Sequence, residues 1–557
     1  MTSDRAADPA VATRMTGGRA LVEMLRRHGV TELFAIPGVQ NDALFNALYD
    51  AAGAIRVVHT RHEQGAAYMA LGYARATGRP GVFAVVPGPG VLNATAALAT
   101  AYAAHARVLC IAGQIPSAQI GRGLGVLHEL PDQLAILRGL TKWAARVEHP
   151  ALLPDLVAEA FQQLCAGRPR PVALEIPTDV LADQAPVTLR DPAAAPAAPA
   201  PDPEAVARAA ALLARAERPL IMVGSGVDDA GDALLAVAEA LQAPVVAGMH
   251  GRGAVSDRHY LALTGPAGWR LWADADVVLA VGTRLLRPLT QWGVDDGLTL
   301  IRIDIDPLEI SRIHPPAVGI VADARQALAA LSQALAAHSP VRASREAALR
   351  ALKADVEQAM SQVQPQYGFL QAMRAALPDD GVFVDEMTQV GYMARYAFPV
   401  YRPRTYITPG YQGTLGYGFA TALGAKVALP DRAVLSISGD GGFLFTAAEL
   451  ATAVQHRIGV VAVVFNDGAY GNVLRMQQEL YGGRVIATRL HNPDFVRLAE
   501  TFGARGQRAT SPAALTAILR AAFERDEPTV VEVPVGEMPE PHAFVRLPRV
   551  RPRGGDR

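Results

Sequence analysis

The chain has 557 residues, of which 50% are hydrophobic and 19% are charged, and its formal net charge at pH 7 is −1. A chain of this length exceeds what one hydrophobic core supports and predicts about three domains of roughly 150 to 200 residues each. The even charge balance gives no support for a nucleic-acid partner or for binding to an anionic membrane surface.

The N-terminus and the cysteine content both predict a cytoplasmic protein. The N-terminal segment contains Asp4 and Asp8 and has no apolar stretch, so we expect no secretory signal. The Ala-rich run 91–113 predicts a buried helix leading into a strand rather than a membrane span. Only Cys110 and Cys165 are present, too few for a disulfide framework or a metal site in a chain of this size.

Short runs rich in Val and Ile alternate with helical patterns along most of the chain, and this alternation predicts parallel α/β sheets. The strands predicted in the first block are ELFAIPG, IRVVHT, GVFAVV and RVLCIAG. Those of the second block are PLIMVGSG, APVVAG, DVVLAVG and TLIRIDID. Those of the third block are GVFVDE, AVLSISGD, GVVAVVFND and PTVVEVPV.

The three blocks predict a three-domain α/β protein with doubly wound parallel sheets. The predicted domains cover 1–185, 204–340 and 379–540. A Pro/Ala-rich linker is predicted at 186–203, a helical connector at 341–378 and a tail at 541–557.

Two polar tripeptides follow neighbouring strands of the third block. A Gly-Asp-Gly surrounds Asp440, and an Asn-Asp-Gly begins at Asn466 after the next strand. Between them, Thr446 and Glu449 predict a capping box at the start of a helix, and Gly459 is expected in the left-handed conformation at its end. The segment therefore predicts one βαβ unit with Asp440 and Asn466 at adjoining strand ends, where open α/β sheets bind ligands.

The residue types at these strand ends suit a hard cation. A carboxylate from Asp440, an amide oxygen from Asn466 and the backbone carbonyl of Gly468 would leave positions for phosphate oxygens and water around Mg²⁺. A diphosphate could approach the backbone closely at the glycines of the first loop, Gly439, Gly441 and Gly442. Either tripeptide alone is common in ordinary turns. The evidence for a cation site is therefore their joint placement on one βαβ unit.

The pattern resembles the cofactor signature of thiamine diphosphate enzymes, in which a Gly-Asp-Gly is followed one βα unit later by Asn-Asn. In this chain the corresponding pair is Phe465-Asn466, so the first Asn is absent and the metal-binding second Asn is present. The resemblance implies thiamine diphosphate and Mg²⁺ as cofactors, with Asp440, Asn466 and Gly468 as the metal ligands.

A second segment strengthens the resemblance. HTRHEQGAAYMALGYARATG is similar to the family's H-E-x-x-A-x-x-x-A-x-G-Y-A-R-x-T-G pattern and implies that Glu63 is the catalytic glutamate that hydrogen-bonds the aminopyrimidine of the cofactor. Taken alone, a Glu in a first helical turn is more often a surface residue favoured by the helix dipole. His62 beside it is a weaker candidate and is also typical of a packed or capping residue.

Further segments resemble the family's loops around the cofactor and the substrate. The residues that the resemblance places against the cofactor are Pro37, Asn93, Thr388, Gln389, Gly413 and Leu415. The additional catalytic candidates are Gln114 in GQIP and His128 in GVLHELPDQ, although a lone loop His is more often a structural hydrogen-bonding residue. The candidates for the substrate pocket are Val39, Gln40, Leu474 and Gln478. Arg475 could bind a substrate carboxylate or could simply be a solvated helix residue.

The resemblance covers about residues 18–535 and is greatest to acetolactate synthases and related 2-oxo acid decarboxylases. It implies pyrimidine-binding, central and diphosphate-binding domains, and decarboxylation of a 2-oxo acid followed by carboligation. A decarboxylase without ligation, or a lyase acting on a 2-hydroxy ketone or 2-hydroxyacyl compound, remains the alternative. FAD is disfavoured: Arg284 is retained, but the Arg-Phe-Asp-Asp-Arg-like run that follows it in flavin-binding members is missing.

The family's glutamate and diphosphate site meet across a subunit interface, which implies a homodimer or a homotetramer. Two other protein classes fit less well. A dinucleotide oxidoreductase would need a G-x-G-x-x-G after a strand, and we find no convincing one. A regulatory protein without turnover would not need Glu63 together with Asp440 and Asn466.

Overall fold

The computed structural model describes residues 12–194, 196–338 and 342–552. The chain forms two compact units, Met1–Pro196 and Ala197–Arg557. The predicted fold class is confirmed, because three six-stranded parallel sheets with intervening helices follow one another along the described chain. The first lies in the first unit, and the other two lie in the second unit.

The first unit contains a parallel sheet in the order β3-β2-β4-β5-β7-β6 and a small antiparallel pair, β1-β8. Its strands are β1 (Thr13–Thr16), β2 (Glu32–Ala35), β3 (Arg56–His59), β4 (Gly81–Val85), β5 (Val108–Gln114), β6 (Trp143–Arg146), β7 (Val172–Pro177) and β8 (Gln184–Val187). Its helices are α1 (Gly17–Arg27), α2 (Asp42–Asp50), α3 (Glu63–Thr77), α4 (Pro89–Ala103), α5 (Gln133–Leu140), α6 (Leu153–Cys165) and α7 (Thr178–Ala182).

Helix α3 packs unusually close to this sheet because its sequence is rich in Ala and Gly. All of its residues from Gly65 to Ala76 are buried. A Cβ on Gly81, the first residue of β4, would lie 2.0 Å from the carbonyl oxygen of Ala70, so only glycine fits there. The close approach fixes the position of the helix that begins with Glu63.

The central sheet, in the second unit, has the order β11-β10-β9-β12-β13-β14. Its strands are β9 (Leu220–Val223), β10 (Val245–Ala247), β11 (Ala262–Leu263), β12 (Val277–Val281), β13 (Thr299–Asp304) and β14 (Val318–Val321). Its helices are α8 (Pro203–Arg215), α9 (Gly231–Leu241), α10 (Gly265–Trp272), α11 (Pro307–Ile310) and α12 (Ala324–Ala336). Numbered from β9, this is the strand order 3-2-1-4-5-6 of dinucleotide-binding folds.

The third sheet has the order β16-β15-β17-β18-β20-β19. Its strands are β15 (Val382–Val384), β16 (Tyr406–Ile407), β17 (Val434–Gly439), β18 (Val460–Asn466), β19 (Arg505–Arg508) and β20 (Thr529–Pro534). Two helices precede it, α13 (Glu346–Ser361) and α14 (Gln366–Ala376). The others are α15 (Gln389–Ala397), α16 (Gly418–Ala428), α17 (Asp440–Leu444), α18 (Leu450–His456), α19 (Gly471–Leu480), α20 (Phe495–Thr501), α21 (Pro512–Arg525) and α22 (His542–Val545).

The helical segment between β17 and β18 begins and ends differently from the prediction. The capping box is wrong: Thr446 makes no cap hydrogen bond, and its hydroxyl instead donates to the carbonyl oxygen of Gly416 at 3.2 Å. The left-handed residue at the end of α18 is Arg457, with φ 54°, and not Gly459. Gly459 is required by packing, since a Cβ there would lie 2.3 Å from Oδ1 of Asp526.

The described helices include none that is both long enough and apolar enough to cross a membrane. The predicted tail contains α22 and ends, within the described residues, near Arg551. Arg551 is buried, and its guanidinium donates to the carbonyl oxygen of Trp272 at 2.7 Å and to Asp295 at 2.6 Å. The tail is thereby fastened to residues of the central sheet's domain.

Candidate active site

Glu63 is the first residue of α3 and is half-buried. The side chain of Asn93, on α4, donates a hydrogen bond to its Oε2 at 2.9 Å. Its Oε1 faces Gly90, where an added Cβ would lie at an ordinary contact distance of 3.7 Å. His62 caps the helix, because its Nδ1 accepts from the backbone N–H of Gln64 at 3.1 Å. The structure thus brings together two predicted site residues, Glu63 and Asn93.

The loop that carries His128 lies against the loop that follows β4. Gly88 has φ 62°, and a Cβ there would lie 2.6 Å from the carbonyl oxygen of His128. His128 itself has φ 70°, and its buried Nδ1 makes no hydrogen bond within the described residues. Buried Gln40 joins the same cluster by donating to the carbonyl oxygen of Leu127 at 3.2 Å. A catalytic role for His128 stays a prediction.

Two other residues predicted for this region are exposed. Pro37 is exposed at the end of the loop that follows β2. Val39, from the same loop, has 69% of its surface exposed, so the described residues leave most of it uncovered.

A fully buried glutamate, Glu175 of β7, organises the interior beside these loops. It accepts from Nε2 of Gln114 at 2.9 Å, from Nε2 of Gln133 at 3.1 Å and from Nε of Arg146 at 2.5 Å. Gln133 in turn accepts from the backbone N–H of Gly88 at 2.8 Å. Sequence reasoning did not single out Glu175 or Gln133, because one buried acid within an apolar strand carries no motif.

This network changes the interpretation of Gln114. Its Nε2 is bound to Glu175, and its Oε1 accepts from the backbone N–H of Ile115 at 2.7 Å. Only 2% of its surface is exposed. These contacts fix the amide at the end of β5, and a catalytic role for Gln114 stays a prediction.

In the second unit, Asp440 lies buried directly after β17. Its Oδ1 accepts from the backbone N–H of Gly441 at 2.8 Å, and its Oδ2 accepts from the N–H of Gly468 at 2.8 Å and from Nδ2 of Asn492 at 2.6 Å. Burial raises the pKa of Asp440 despite these donors. A carboxylate in this situation is stabilised further by a cation.

The second carboxylate of the site is Asp467, which the sequence analysis did not assign. Burial and the nearby charge of Asp440 raise the pKa of Asp467 to about 6. By contrast, both ends of the Asn466 amide are occupied: Nδ2 donates to Glu532 at 2.8 Å, and Oδ1 accepts from Asn492 at 2.9 Å. Asp467 is therefore better suited than Asn466 to bind a cation together with Asp440.

Gly468, the third predicted metal ligand, stays a prediction. The carbonyl oxygen of Gly468 already accepts from the backbone N–H of Leu490 at 2.7 Å. Phe465, whose place in the pattern was unexplained, is the last core residue of β18 and packs edge-on against Phe369 at 5.5 Å between ring centroids. The polar pair at this strand end is thus Asn466-Asp467. In the described part of the chain, no group of three or more His, Cys, Asp or Glu side chains is arranged to hold a metal, so further ligands would have to come from backbone or phosphate oxygens.

The glycines beside Asp440 have no room for side chains. A Cβ on Gly441 would lie 2.6 Å from the ring of Tyr470, and one on Gly442 would lie 2.3 Å from Oε1 of Glu386. Gly439 is different, since its Cβ would make only an ordinary contact at 3.6 Å with Thr388. The two carboxylates and the glycines that flank Asp440 fit a cation that carries a diphosphate.

Glu386, which follows β15, fastens the predicted cofactor loop to the sheet. It is 1% exposed, and it accepts from the backbone N–H of Gly416 at 2.7 Å, from that of Gly418 at 3.1 Å and from the hydroxyl of Ser438 at 2.6 Å. Burial raises its pKa to about 7. The carboxyl group therefore joins the ends of β15 and β17 to the 413–418 loop.

The remaining predicted cofactor residues lie around Glu386. Gly413 has φ 55° and lies beside Met387, and Leu415 is half-buried. Thr388 caps α15 by accepting from the N–H of Gly391 at 2.8 Å. The side-chain oxygen of Gln389 is buried and makes no hydrogen bond within the described residues, so it is available to a ligand donor.

Helix α19 carries the two pocket candidates of this unit, Leu474 and Gln478, and both are half-buried. Arg475 between them is not a solvated helix residue. It is buried, donates to Asn472 at 3.0 Å and pairs with Glu540 of the C-terminal segment at 3.3 Å. The pairing links α19 to the segment that precedes the tail.

In the central sheet, the glycines at the crossover between β9 and β12 pack the two following loops together. A Cβ on Gly226 would lie 2.5 Å from Cα of Gly282. Arg284 lies over the ring of Tyr411, 4.5 Å from its centroid. The absence of FAD stays a prediction.

Comparison with known proteins identifies the family. Residues 15–136, 206–331 and 386–533 match the N-terminal TPP binding domain, the central domain and the C-terminal TPP binding domain of thiamine pyrophosphate enzymes. The chain belongs to the thiamine pyrophosphate enzymes. It is therefore an enzyme that depends on thiamine diphosphate and catalyses the cleavage or formation of carbon–carbon bonds.

Relatives place it among the 2-oxo acid decarboxylases and acetolactate synthases. It is 38% identical to a probable 2-ketoarginine decarboxylase of Pseudomonas aeruginosa, over 93% of this chain and 94% of that protein. It is 33% identical to a probable acetolactate synthase large subunit of Methanocaldococcus jannaschii, over 93% and 92% of the two chains. For the large subunit of acetolactate synthase isozyme 3 of Escherichia coli the identity is 32%, over 92% of each chain.

The raised pKa of Glu386 gives a prediction for stability. Its pKa is about 7 in the folded protein against an ordinary value of 4.5, so the folded state keeps a proton that the unfolded state has released. Stability from this group is therefore lost as the pH rises through that interval. Between about pH 5 and pH 7, the unfolding free energy of the wild type should fall relative to that of Glu386→Gln, by at most about 1.4 kcal/mol per pH unit.

Urea denaturation at a series of pH values measures this difference. Glu500→Gln, at an exposed position on α20, is the matched control and should follow the wild type. A Glu386→Gln curve that stays parallel to the wild type across the interval would show that Glu386 does not titrate there.

Proposed function

We propose that the protein is a Mg²⁺-dependent thiamine diphosphate enzyme that decarboxylates a 2-oxo acid and transfers the remaining fragment to a second carbonyl compound. The observation that supports the cofactor site is the pair of carboxylates, Asp440 and Asp467, which follow neighbouring strands and lie beside tightly packed glycines. In the proposal these carboxylates hold Mg²⁺, and the diphosphate lies against the backbone of Gly441 and Gly442.

The first unit would supply the proton chemistry. When bound, thiamine diphosphate supplies the nucleophilic carbon and the electron sink for the loss of CO₂. Glu63 would exchange a proton with the aminopyrimidine, and Asn93 would hold the carboxyl group in place through its hydrogen bond to Oε2. His128, with its unbonded Nδ1, is the proposed proton donor or acceptor on the substrate side.

The other residues have supporting roles in this proposal. Gly413, Leu415, Thr388 and Gln389 would contact the cofactor. Val39, Gln40, Leu474 and Gln478 would line the substrate pocket. Because the family's glutamate and diphosphate site meet across a subunit interface, we also propose that the working enzyme is a homodimer or a homotetramer with its active site between subunits. We propose a cytoplasmic location and no bound FAD.

Decarboxylation without ligation is the second candidate, and the relative named as a 2-ketoarginine decarboxylase favours it. In that reaction the fragment left after loss of CO₂ takes up a proton and leaves as an aldehyde. The two candidates share the cofactor site. They differ only in whether the fragment reacts with a proton or with a second carbonyl compound.

Substrate profiling separates them. Purified protein with thiamine diphosphate and Mg²⁺ is incubated with pyruvate, longer 2-oxo acids and 2-ketoarginine, each with and without an acceptor aldehyde or a second 2-oxo acid. The proposal predicts release of CO₂ with a hydroxy ketone or acetohydroxy acid as product. Free aldehyde in every incubation would establish simple decarboxylation. No release of CO₂ from any 2-oxo acid would contradict both candidates.

Glu63→Gln tests the assignment of the catalytic glutamate. The amide keeps the shape of the side chain but cannot exchange the proton, so turnover should fall by a factor on the order of 10² to 10⁴. Binding of thiamine diphosphate with Mg²⁺ should persist, which calorimetry measures.

Glu159→Gln, the same change at an exposed position on α6, should leave turnover unchanged. If Glu63→Gln retained a near-normal rate, Glu63 would not be the catalytic glutamate.

A further inference from the structure

Asn492 occupies a central position in the proposed cation site, although it belongs to no motif. It lies in the loop between α19 and α20. Its Nδ2 donates both to Oδ2 of Asp440 at 2.6 Å and to Oδ1 of Asn466 at 2.9 Å. One side chain thus joins the polar residues that follow β17 and end β18.

The contacts of Asn466 extend this connection across the sheet. Asn466 donates to Oε1 of Glu532 at 2.8 Å, and only 4% of Glu532 is exposed. Arg508 donates to Oε2 of Glu532 through Nε at 2.9 Å and through Nη2 at 2.7 Å. The chain of hydrogen bonds therefore passes from β17 through β18 and β20 to β19.

The loop that carries Asn492 is held from its other side as well. Asp494, two residues later, accepts from the backbone N–H groups of Val496 and Arg497 at the start of α20. It also accepts from Nη2 of Arg508 at 3.1 Å. The backbone of Asn492 is consequently fixed relative to the strands whose ends it joins.

The effect on Asp440 is to define the orientation of its carboxylate. Among the described residues, Oδ2 accepts from the N–H of Gly468 and from Nδ2 of Asn492, and Oδ1 accepts from the N–H of Gly441. A carboxylate held by donors from three separate segments cannot rotate without breaking hydrogen bonds. Of these donors, Asn492 provides the only side chain.

We propose that Asn492 is a positioning residue that orients Asp440, and that this orientation sets both the affinity and the size selectivity of the cation site. The inference rests on the proposed function, because it requires the cation to bind at Asp440. Partners that orient a metal-binding carboxylate typically contribute a factor of 10 to 100 in metal affinity. Asn466 then acts as a second orienting amide, not as a ligand.

Selectivity distinguishes positioning from a general loss of structure. Mg²⁺ requires near-ideal octahedral geometry at short distances, whereas Ca²⁺ accepts longer and irregular coordination. A carboxylate that has lost its orientation should therefore cost Mg²⁺ more binding than it costs Ca²⁺. A damaged fold would weaken both ions alike.

The experiment uses the full chain with thiamine diphosphate and follows Mn²⁺ binding by electron paramagnetic resonance, with Mg²⁺ and Ca²⁺ as competitors. Asn492→Leu keeps the side-chain size and removes the donor. We expect the dissociation constants of Mn²⁺ and Mg²⁺ to rise by about 10-fold to 100-fold, and that of Ca²⁺ to rise less. Asn492→Ser, which keeps a shorter donor, should lie between the wild type and Asn492→Leu and provides the same test if the Leu variant does not fold. Gln362→Leu, which removes an exposed amide at the end of α13, is the control and should bind like the wild type.

The outcomes separate this inference from the proposed function. If the wild type binds Mn²⁺ and the Asn492 variants bind it equally well, Asn492 has no positioning role. Equal losses for Mg²⁺ and Ca²⁺ would also overturn it, because they would indicate a structural defect alone. If the wild type itself binds no Mn²⁺ in the presence of thiamine diphosphate, the proposed cation site is wrong, and this inference fails with it.

Discussion

A carboxylate buried at the end of a strand must find hydrogen-bond donors or a cation, and this requirement shapes the polar interior of each sheet that carries a proposed site. Glu175 gathers Gln114, Gln133 and Arg146 in the first unit. Glu386 instead draws on backbone N–H groups of a glycine-rich loop. In both cases the buried acid fixes a loop at the carboxyl edge of a parallel sheet, the edge where such sheets bind ligands. The buried polar groups of each sheet therefore also hold these loops in a fixed position.

Much of the fold could be predicted from the sequence because the central strands are apolar on both faces. The predicted runs correspond to the strands from β2 to β5, to β9, β10, β12 and β13, and to β15, β17, β18 and β20. The prediction missed short edge strands such as β19, whose sequence RGQR has no hydrophobic signal. It also missed β7 in the sheet interior, where Glu175 interrupts an otherwise apolar run. Hydrogen bonds from residues distant in sequence stabilise that buried acid, and no local sequence pattern predicts them.

The two strand ends that carry the proposed site were predictable from the sequence, and the hydrogen bonds around them were less so. The two tripeptides correctly indicated neighbouring strand ends, since β17 and β18 pair in parallel with Gly439 opposite Phe465. Which side chains lie near Asp440 depends on how the chain turns after β18, and the charge of Asp440 acts on Asp467 directly after that strand. Asn492 could not be found at all, because it reaches the site from a loop that only the folded chain brings there. Local sequence patterns predict helices and strands, whereas the hydrogen-bond partners of a buried charge depend on the tertiary fold.

The central claim is that the edge of the third sheet holds a cation between Asp440 and Asp467. A diffraction experiment on crystals grown with Mn²⁺ and thiamine diphosphate tests it most directly, because the anomalous signal locates the metal independently of the protein. The account predicts one strong peak within about 2.0 to 2.3 Å of an oxygen of each carboxylate, with Asn492 still bonded to Asp440. A peak that is bound by Asn466 and distant from Asp467, or no peak at this edge of the sheet, would contradict it.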